Sequence, residues 1–340
     1  MIKSYILFFY FNRKINIIHK ALFLIIIGII AFFYKNKKYL KVKKEHFNYI
    51  NIAYAVDNDY YYITHVSMKS LMLNQKNSTF VKFYLLVHKS INKKQKKIID
   101  KICLEHTNCN ISYFKFKNEF KDINTTGIYN WTTSTFYKLL LQNLLLNENK
   151  ILYLDSDTLI YKDLNQLYNY NVTNNYYVGS FEGKPPSKYG QNLSYFINGG
   201  IILINLKNLR KDNIYKKIYR FLRKNNGSLL YMDQDAINVV CNKKNGFFPW
   251  YYVSNGICSI NKFKLLSKHK SKSSKYIQNL KEPYIFHFKI FTKPWYGIAK
   301  KEIICFDFIH RFYEYARKTN YYFEILDTFR VYVKNNSYFL

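Results

Sequence analysis

The stretch "NKILYLDSDTLIYKDL", residues 149–164, decides how the chain is read. Its apolar run "KILYL" has the length and composition of a buried strand. The run stops at two aspartates one residue apart, Asp155 and Asp157. In an open α/β sheet, ligands sit beyond the carboxyl ends of the strands, which is where this pair falls. Carboxylate oxygens are hard ligands, and two of them spaced this way can face one Mg²⁺ or Mn²⁺ ion shared with a diphosphate. Alone, the motif also fits a solvated acidic turn.

Working outward, "YINIAYAV" and "FVKFYLLVH" read as buried strands, and "YITHVSMKSLMLN" between them carries apolar residues at helical spacing. "SINKKQKKIIDKICLEH" predicts a second amphipathic helix and "NISYFKF" a third strand. "WTTSTFYKLLLQNLLLNEN" predicts a helix opened by capping hydroxyl residues, leading into "KILYL" as the fourth strand. Alternating strands and helices predict an α/β fold, a mostly parallel sheet with helices on both faces.

A chain of 340 residues that is 49% hydrophobic is long enough to bury a substantial core, which excludes a disordered chain. Its formal net charge of +32 fits nucleic acid, anionic membrane or phosphate-bearing partners. The basic residues are scattered rather than gathered in one block, so no specific nucleic-acid partner is expected. Cys103, Cys109, Cys241, Cys258 and Cys305 form no CxxC pair and no metal-finger spacing. "INIIHKALFLIIIGIIAFFY", Ile15 to Tyr34, reads as an uncleaved single membrane anchor followed by a basic stem, "KNKKYLKVKK". The expected organisation is residues 1–46 as anchor and stem, 47–300 as the catalytic domain, and 301–340 as an aromatic, basic helical tail. That tail is expected to pack on the domain, with a membrane surface as the other option.

Six stretches occur in a set order: "IAYAVDNDYYY", "WTTSTFYKLLL", "YLDSD", "YFINGGIILINL", "MDQDAIN" and "HFKIFTKPW". Together they resemble glycosyltransferase family 8, the retaining group with the GT-A fold, over about Asn51 to Trp295. The resemblance implies a Rossmann-like mixed sheet and transfer of a hexose, glucose or galactose, from UDP-glucose or UDP-galactose. It further implies a carbohydrate-bearing acceptor (glycan, lipid-linked or protein) and Mn²⁺ or Mg²⁺ as cofactor.

Residue by residue, Asp155, Asp157 and His287 are the expected metal ligands, two oxygens and an imidazole nitrogen, a set suited to Mn²⁺. Asp57 can accept the imide hydrogen of uracil and Tyr60 offers a flat face for stacking. The resemblance also places Asp59, Lys138, Asp155 and Ser156 on the donor. Gly199 and Gly200 let a hexose approach the backbone, and Asn198 can hydrogen-bond its hydroxyls. Lys293 can place its charge on the leaving diphosphate. Asp233 and Gln234 are assigned to sugar contact and catalysis. Gln234 is not a strong nucleophile, which favours front-face attack with the departing phosphate assisting deprotonation of the acceptor.

Two departures from the family pattern stand out. Lys138 replaces an arginine and loses its planar two-pronged geometry. Ile290 replaces the glycine of HxxGxxKPW, which leaves an inactive donor-binding protein as an alternative. A strand-end phosphatase of the haloacid-dehalogenase kind would want threonine where Leu159 stands, and a helix–loop–helix calcium loop would want glycine at Ile160. Sequons such as Asn77, Asn124 and Asn226 favour the Golgi or ER lumen, whereas the lysines after the apolar stretch favour a cytosolic domain.

Overall fold

The computed structural model describes residues 47–127, 131–183, 186, 188, 193, 195–249, 251–254, 282–289, 293–296 and 304–335. The candidate anchor at 15–34 and Ile290 lie outside them. Among the described residues no helix is long and apolar enough to cross a membrane.

The chain begins with β1 (Asn48–Val56), α1 (Tyr61–Asn74), β2 (Thr79–His88), α2 (Lys93–Glu105) and β3 (Cys109–Phe116). These match the first three expected strands and two helices. Asn92 caps α2 through a reciprocal pair with Gln95, satisfying two otherwise orphaned backbone donors. Cys103 and Cys109 are joined in a disulfide across the turn that follows.

The expected helix over residues 131–149 takes a different form. It is a 3₁₀ segment, Thr133–Leu140, followed by one short helix, α3 (Leu141–Leu144). Thr132 makes no cap hydrogen bond there. Its hydroxyl and that of Ser134 donate instead to Asp57 Oδ2, at 2.9 and 3.1 Å. That tertiary demand for hydroxyls facing β1 competes with helix capping.

Next come β4 (Lys150–Leu154), β5 (Thr158–Ile160), α4 (Asn165–Tyr168), β6 (Tyr177–Gly183), β7 (Phe196–Asn205), α5 (Leu206–Lys211), α6 (Ile214–Lys224) and α7 (Asp233–Cys241). The remaining elements are β8 (Asn245–Phe247), β9 (Val253–Ser254), β10 (Ile285–His287), α8 (Ile304–Arg317) and α9 (Tyr322–Asn335). The main sheet has the order β3-β2-β1-β4-β7-β6-β8. Strands β1 to β4 pair in parallel and β6 pairs in parallel with β8, while β7 runs antiparallel to β4 and β6. A second, small sheet has the order β5-β10-β9.

Alternation along the strands separates two cores, because successive side chains point to opposite faces. Ile50, Ile52, Tyr54 and Val56 of β1 join Met68 and Leu71 of α1 and Ile99 and Ile102 of α2. Ala53 of β1 and Ile151 and Tyr153 of β4 face the other way, onto Phe136, Leu206, Ile218 and Ala236. Helices therefore cover both faces. A third cluster joins α8 and α9 to the small sheet: Phe308, Phe312, Ala316, Ile325 and Phe329 are buried against Phe286, Phe288 and Trp295.

His65 lies inside this packing, 1% exposed and edge-on to Tyr321. Burial pushes its imidazole pKa down to about 4 from the usual 6.5. The unfolded chain therefore binds a proton that the folded chain resists. Stability from this residue is lost as pH falls through 6.5 towards 4, and the loss between pH 7 and 5 should be about 2 kcal/mol. Urea unfolding at both pH values checks this: His65→Gln should flatten the slope by that amount, and an unchanged slope would show that His65 is not the group responsible.

Candidate active site

The turn after β4 presents Asp155 and Asp157, and β5 follows immediately. Antiparallel pairing sets His287 of β10 opposite Thr158, and Phe288 N donates to Asp157 O at 2.9 Å. Residues 130 apart in sequence thereby meet: His287 Nε2 lies 3.1 Å from Asp157 Oδ1 and 3.7 Å from Asp155 Oδ2. One ligand atom from each of the three residues lies within 4.8 Å of the others.

Gly200 on β7 explains how they fit. A Cβ there would stand 2.4 Å from both Asp155 Oδ2 and His287 Cε1. Only a bare backbone lets the carboxylate and imidazole converge. Oxygen, oxygen and imidazole nitrogen form a donor set that suits Mn²⁺ and accommodates Mg²⁺. These residues fit a divalent ion.

Two lysines balance the carboxylates. Lys293 Nζ lies 2.8 Å from Asp157 Oδ2. Burial alone would raise the Asp157 pKa, but Lys293 and then His287 outweigh it and hold the carboxyl well below its usual range. Lys138, 4% exposed, lies 2.8 Å from Asp233 Oδ2 and 3.5 Å from Asp155 Oδ1, and donates to Gly199 O at 2.9 Å. Its ammonium also sits 4.3 Å from the centre of the Tyr153 ring. Lys138 thus ties the metal turn to β7 and α7 and also lines the larger cavity; the sequence reading placed it on the donor. An ammonium meets these divergent partners as a point charge, a task that does not use a planar fork. Asp233 also accepts from Thr135 Oγ1 at 2.6 Å, and burial raises its pKa despite Lys138.

Two adjoining cavities share Trp131, Thr135, Asp155, Asp157 and Lys293. The smaller, about 220 Å³, is lined by Asp57, Asp59, Tyr60, Thr132, Ser134 and Ser156. The larger, about 310 Å³, is lined by Asn198, Gly199, Gly200, Asp233, Gln234 and Glu182. The candidate metal ligands stand at the boundary.

Several expected contact residues are engaged within the protein. The Ser156 hydroxyl pairs with Thr64 Oγ1 at 2.7 Å and reaches Ala55 O at 3.3 Å. Asn198 accepts from Gly200 N and donates to Glu182 Oε2, both at 2.9 Å. Gln234 Oε1 accepts from Gly199 N at 2.8 Å. Tyr60 accepts from Lys293 Nζ at 3.2 Å and sits edge-on to Trp295. Sequence reasoning missed Glu182, which also pairs with Lys289, and missed Trp131 and Tyr231. The "WTTST" run did carry a signal for Thr132, Ser134 and Thr135, but capping was the simpler reading of it.

The family model for glycosyl transferase family 8 matches residues 51–299. The chain belongs to glycosyltransferase family 8. It is 28% identical over 207 residues to a putative glycosyltransferase of Haemophilus influenzae, covering 58% of this chain and 61% of that protein, so it spans less than two thirds of that relative. It is 24% identical over 271 residues to a lipopolysaccharide 1,2-glucosyltransferase of Escherichia coli, covering 76% of each. The fold matches the solved structure of the galactosyltransferase LgtC with a TM-score of 0.63 at 20% identity, covering 80% of this chain and 96% of that one. Antiparallel pairing of β7 with β4 sets Gly200 beside the turn that carries Asp155, with Asp155 N donating to Gly200 O at 2.7 Å.

Two substitutions test this geometry. Gly200→Ala should weaken Mn²⁺ binding by tenfold or more, a loss of about 1.4 kcal/mol, because the ligands must separate; calorimetric titration that shows unchanged affinity would refute the crowding. Lys138→Met strips the buried cation from Asp233 and Asp155, and should cost roughly 3–5 kcal/mol in urea unfolding.

Proposed function

We propose that the protein transfers glucose or galactose from a UDP-sugar to a carbohydrate-bearing acceptor, with retention of configuration. The single observation that carries this reading is the Asp155, Asp157 and His287 set at the boundary of the two cavities, with Lys293 beside it. A nucleotide in the smaller cavity and a hexose in the larger would place the diphosphate at that boundary. The names of the relatives, a glucosyltransferase and a galactosyltransferase, support the choice of hexoses.

Asp57 and Asp59 would hold the base and ribose, with Asp57 fixed by Thr132 and Ser134. Tyr60, within reach of Lys293, would cover the nucleotide. A divalent ion held by Asp155, Asp157 and His287 would offset the charge of the diphosphate and its growth in the transition state. Lys293, beside Asp157, would add a point charge on the leaving group. Asn198, Gly199 and Asp233, which line the larger cavity, would face the sugar, and Gln234, whose Oε1 accepts from Gly199 N, would put its amide beside the reacting carbon. The bond from the anomeric carbon to the diphosphate oxygen breaks, and the acceptor oxygen bonds to the same face. The acceptor proton passes to the departing diphosphate, so no protein nucleophile is required.

The apolar stretch at 15–34 supports a membrane-held enzyme. The Cys103–Cys109 disulfide supports an oxidising compartment such as the Golgi or ER lumen, and a mobility shift on endoglycosidase treatment tests that placement.

The transfer reading predicts that UDP release from UDP-glucose or UDP-galactose with Mn²⁺ ceases in excess chelator and returns with added metal. Asp157→Asn should lower the rate by at least about a hundredfold, the scale of losing one preorganised charge contact. Full activity in chelator would overturn the metal role. Phosphate release from a simple aryl phosphate would favour a phosphatase instead.

A further inference from the structure

Thr158, buried at the start of β5, stands where the three candidate metal ligands meet. It follows Asp157 directly, its hydroxyl donates to Asp155 O at 2.8 Å, and it is the cross-strand partner of His287. One residue thus bears on the backbone of all three. Asp155 is clamped on both sides, its N–H by Gly200 O and its carbonyl by Thr158.

The Thr158 hydroxyl is itself held from the core. It lies 3.0 Å from Ser67 Oγ on α1, and Ser67 Oγ lies 3.1 Å from the Tyr54 hydroxyl on β1. Each hydroxyl carries one hydrogen, which fixes the direction of the chain. The Thr158 hydrogen goes to Asp155 O, so Ser67 must donate to Thr158, and Tyr54 must then donate to Ser67. Burial pushes the Tyr54 pKa up, so the phenol keeps the hydrogen it has to give.

Neighbouring hydroxyls hold the same segment at two further points. Thr64 and Ser70 lie three residues to either side of Ser67, on one face of α1, and are buried. The Thr64 hydroxyl pairs with Ser156 Oγ at 2.7 Å, and Ser70 Oγ accepts from Ile160 N at 3.0 Å. Tyr54 otherwise belongs to an apolar cluster with Val56, Met68 and Leu71. Polar groups in such a place cost stability unless paired, and apolar residues of similar shape would avoid that cost. What the chain gains is a fixed carbonyl at Asp155.

We propose that Thr158 is a positioning residue for the metal set, and that the chain from Tyr54 through Ser67 to Thr158 sets the orientation of Asp155 and with it the affinity for a divalent ion. This rests on the reading of Asp155, Asp157 and His287 as a metal set. With the hydroxyl in place, both carboxylates stay turned towards His287. Without it, the peptide after Asp155 is free to rotate and its carboxylate drifts from the set, while the pairing of β4 with β7 and of β5 with β10 keeps the fold.

The test is calorimetric titration of Mn²⁺ into the full chain, with a circular dichroism melt of each variant. Thr158→Val keeps the shape and removes the hydroxyl; its Kd for Mn²⁺ should rise by at least about fivefold, equivalent to about 1 kcal/mol. Thr158→Ser restores the hydroxyl and should return the affinity to within about twofold of the parent. The double variant Tyr54→Phe with Ser67→Ala removes the chain behind Thr158 without leaving a lone buried hydroxyl, and should weaken Mn²⁺ binding by at least about threefold. Ser70→Ala is the control: it removes a hydrogen bond to the same segment outside the chain, so it should lower the melting temperature and leave the affinity alone. Unchanged affinity in Thr158→Val overturns the proposal, and unchanged affinity in the double variant overturns the chain behind it. Should Thr158→Val melt below the titration temperature, the double variant decides. An equal loss in Ser70→Ala would mark a general loosening of β5 and overturn the proposal too. A parent chain that binds no Mn²⁺ overturns the metal reading, and this proposal with it.

Discussion

The antiparallel pairing of β5 with β10 is the constraint on which the rest of the site depends. Each strand is only three residues long, too short to be stable alone. The pairing is secured from outside: Phe286 and Phe288 bury themselves among α8 and α9, and Leu159 joins the same cluster. With Phe288 N bonded to Asp157 O, the backbone on both sides of His287 is fixed relative to the acidic turn. The imidazole then has little freedom except to face Asp155 and Asp157. A metal set assembled from such distant segments needs a backbone link of this kind, because side-chain attraction alone would leave the register free.

Once the acids are brought together, their charge must be managed. Asp155, Asp157 and Asp233 converge on a small volume, and Asp157 and Asp233 are almost fully buried. Lys138 and Lys293 supply the compensation from opposite sides, one tied inward and one at the shared wall of the two cavities. The division of labour follows from their surroundings. Lys138 has three partners besides the Tyr153 ring and almost no exposure, so it is structural and electrostatic at once. Lys293 sits on the wall shared by both cavities, held there by Asp157 and the Tyr60 hydroxyl. A chain that is strongly basic overall thus gathers several of its acids around one turn. The acidic pair in "YLDSD" is balanced locally rather than by the global excess of lysine.

Much of the main sheet was legible because its strands are buried on both faces and its helices are amphipathic, so apolar runs and 3.6-residue spacing both appear in the sequence. The acidic turn and His287 were legible for a different reason: motif order, with Gly199, Gly200 and "KPW" standing in for contacts that spacing cannot show. What spacing could not reveal was hydrogen-bond direction. Ser156 and Asn198 were read as facing the donor; both line the cavities, and their polar groups are also engaged with Thr64, Ala55, Gly200 and Glu182. The 3₁₀ form of residues 133–140 was hidden likewise, since Thr132 and Ser134 look like caps until Asp57 is placed beside them. Glu182 had no signal of its own, because the contact that reveals it comes from Lys289 across the cavity.

The C-terminal helices act on the site although neither contributes a residue to it. Trp295, 1% exposed, packs against Tyr60, Phe288, Phe312 and Phe329. An aromatic side chain buried to that degree is worth roughly 3 to 5 kcal/mol against alanine, much of the margin of a typical domain. Two residues before it stands Lys293, and opposite it Tyr60 closes the smaller cavity. The tail therefore locks the lysine to the wall shared by the two cavities, and the loop carrying Asp57, Asp59 and Tyr60 to the same wall. Loosening α9 would unsettle the wall that carries Lys293 and, through Phe286 and Phe288, the β10 strand that carries His287, whereas Asp155 and Asp157 are also anchored by β4 and β5. Asp155 and Asp157 are thus held by the strands around their turn, while His287 and Lys293 share a dependence on the packing of the tail.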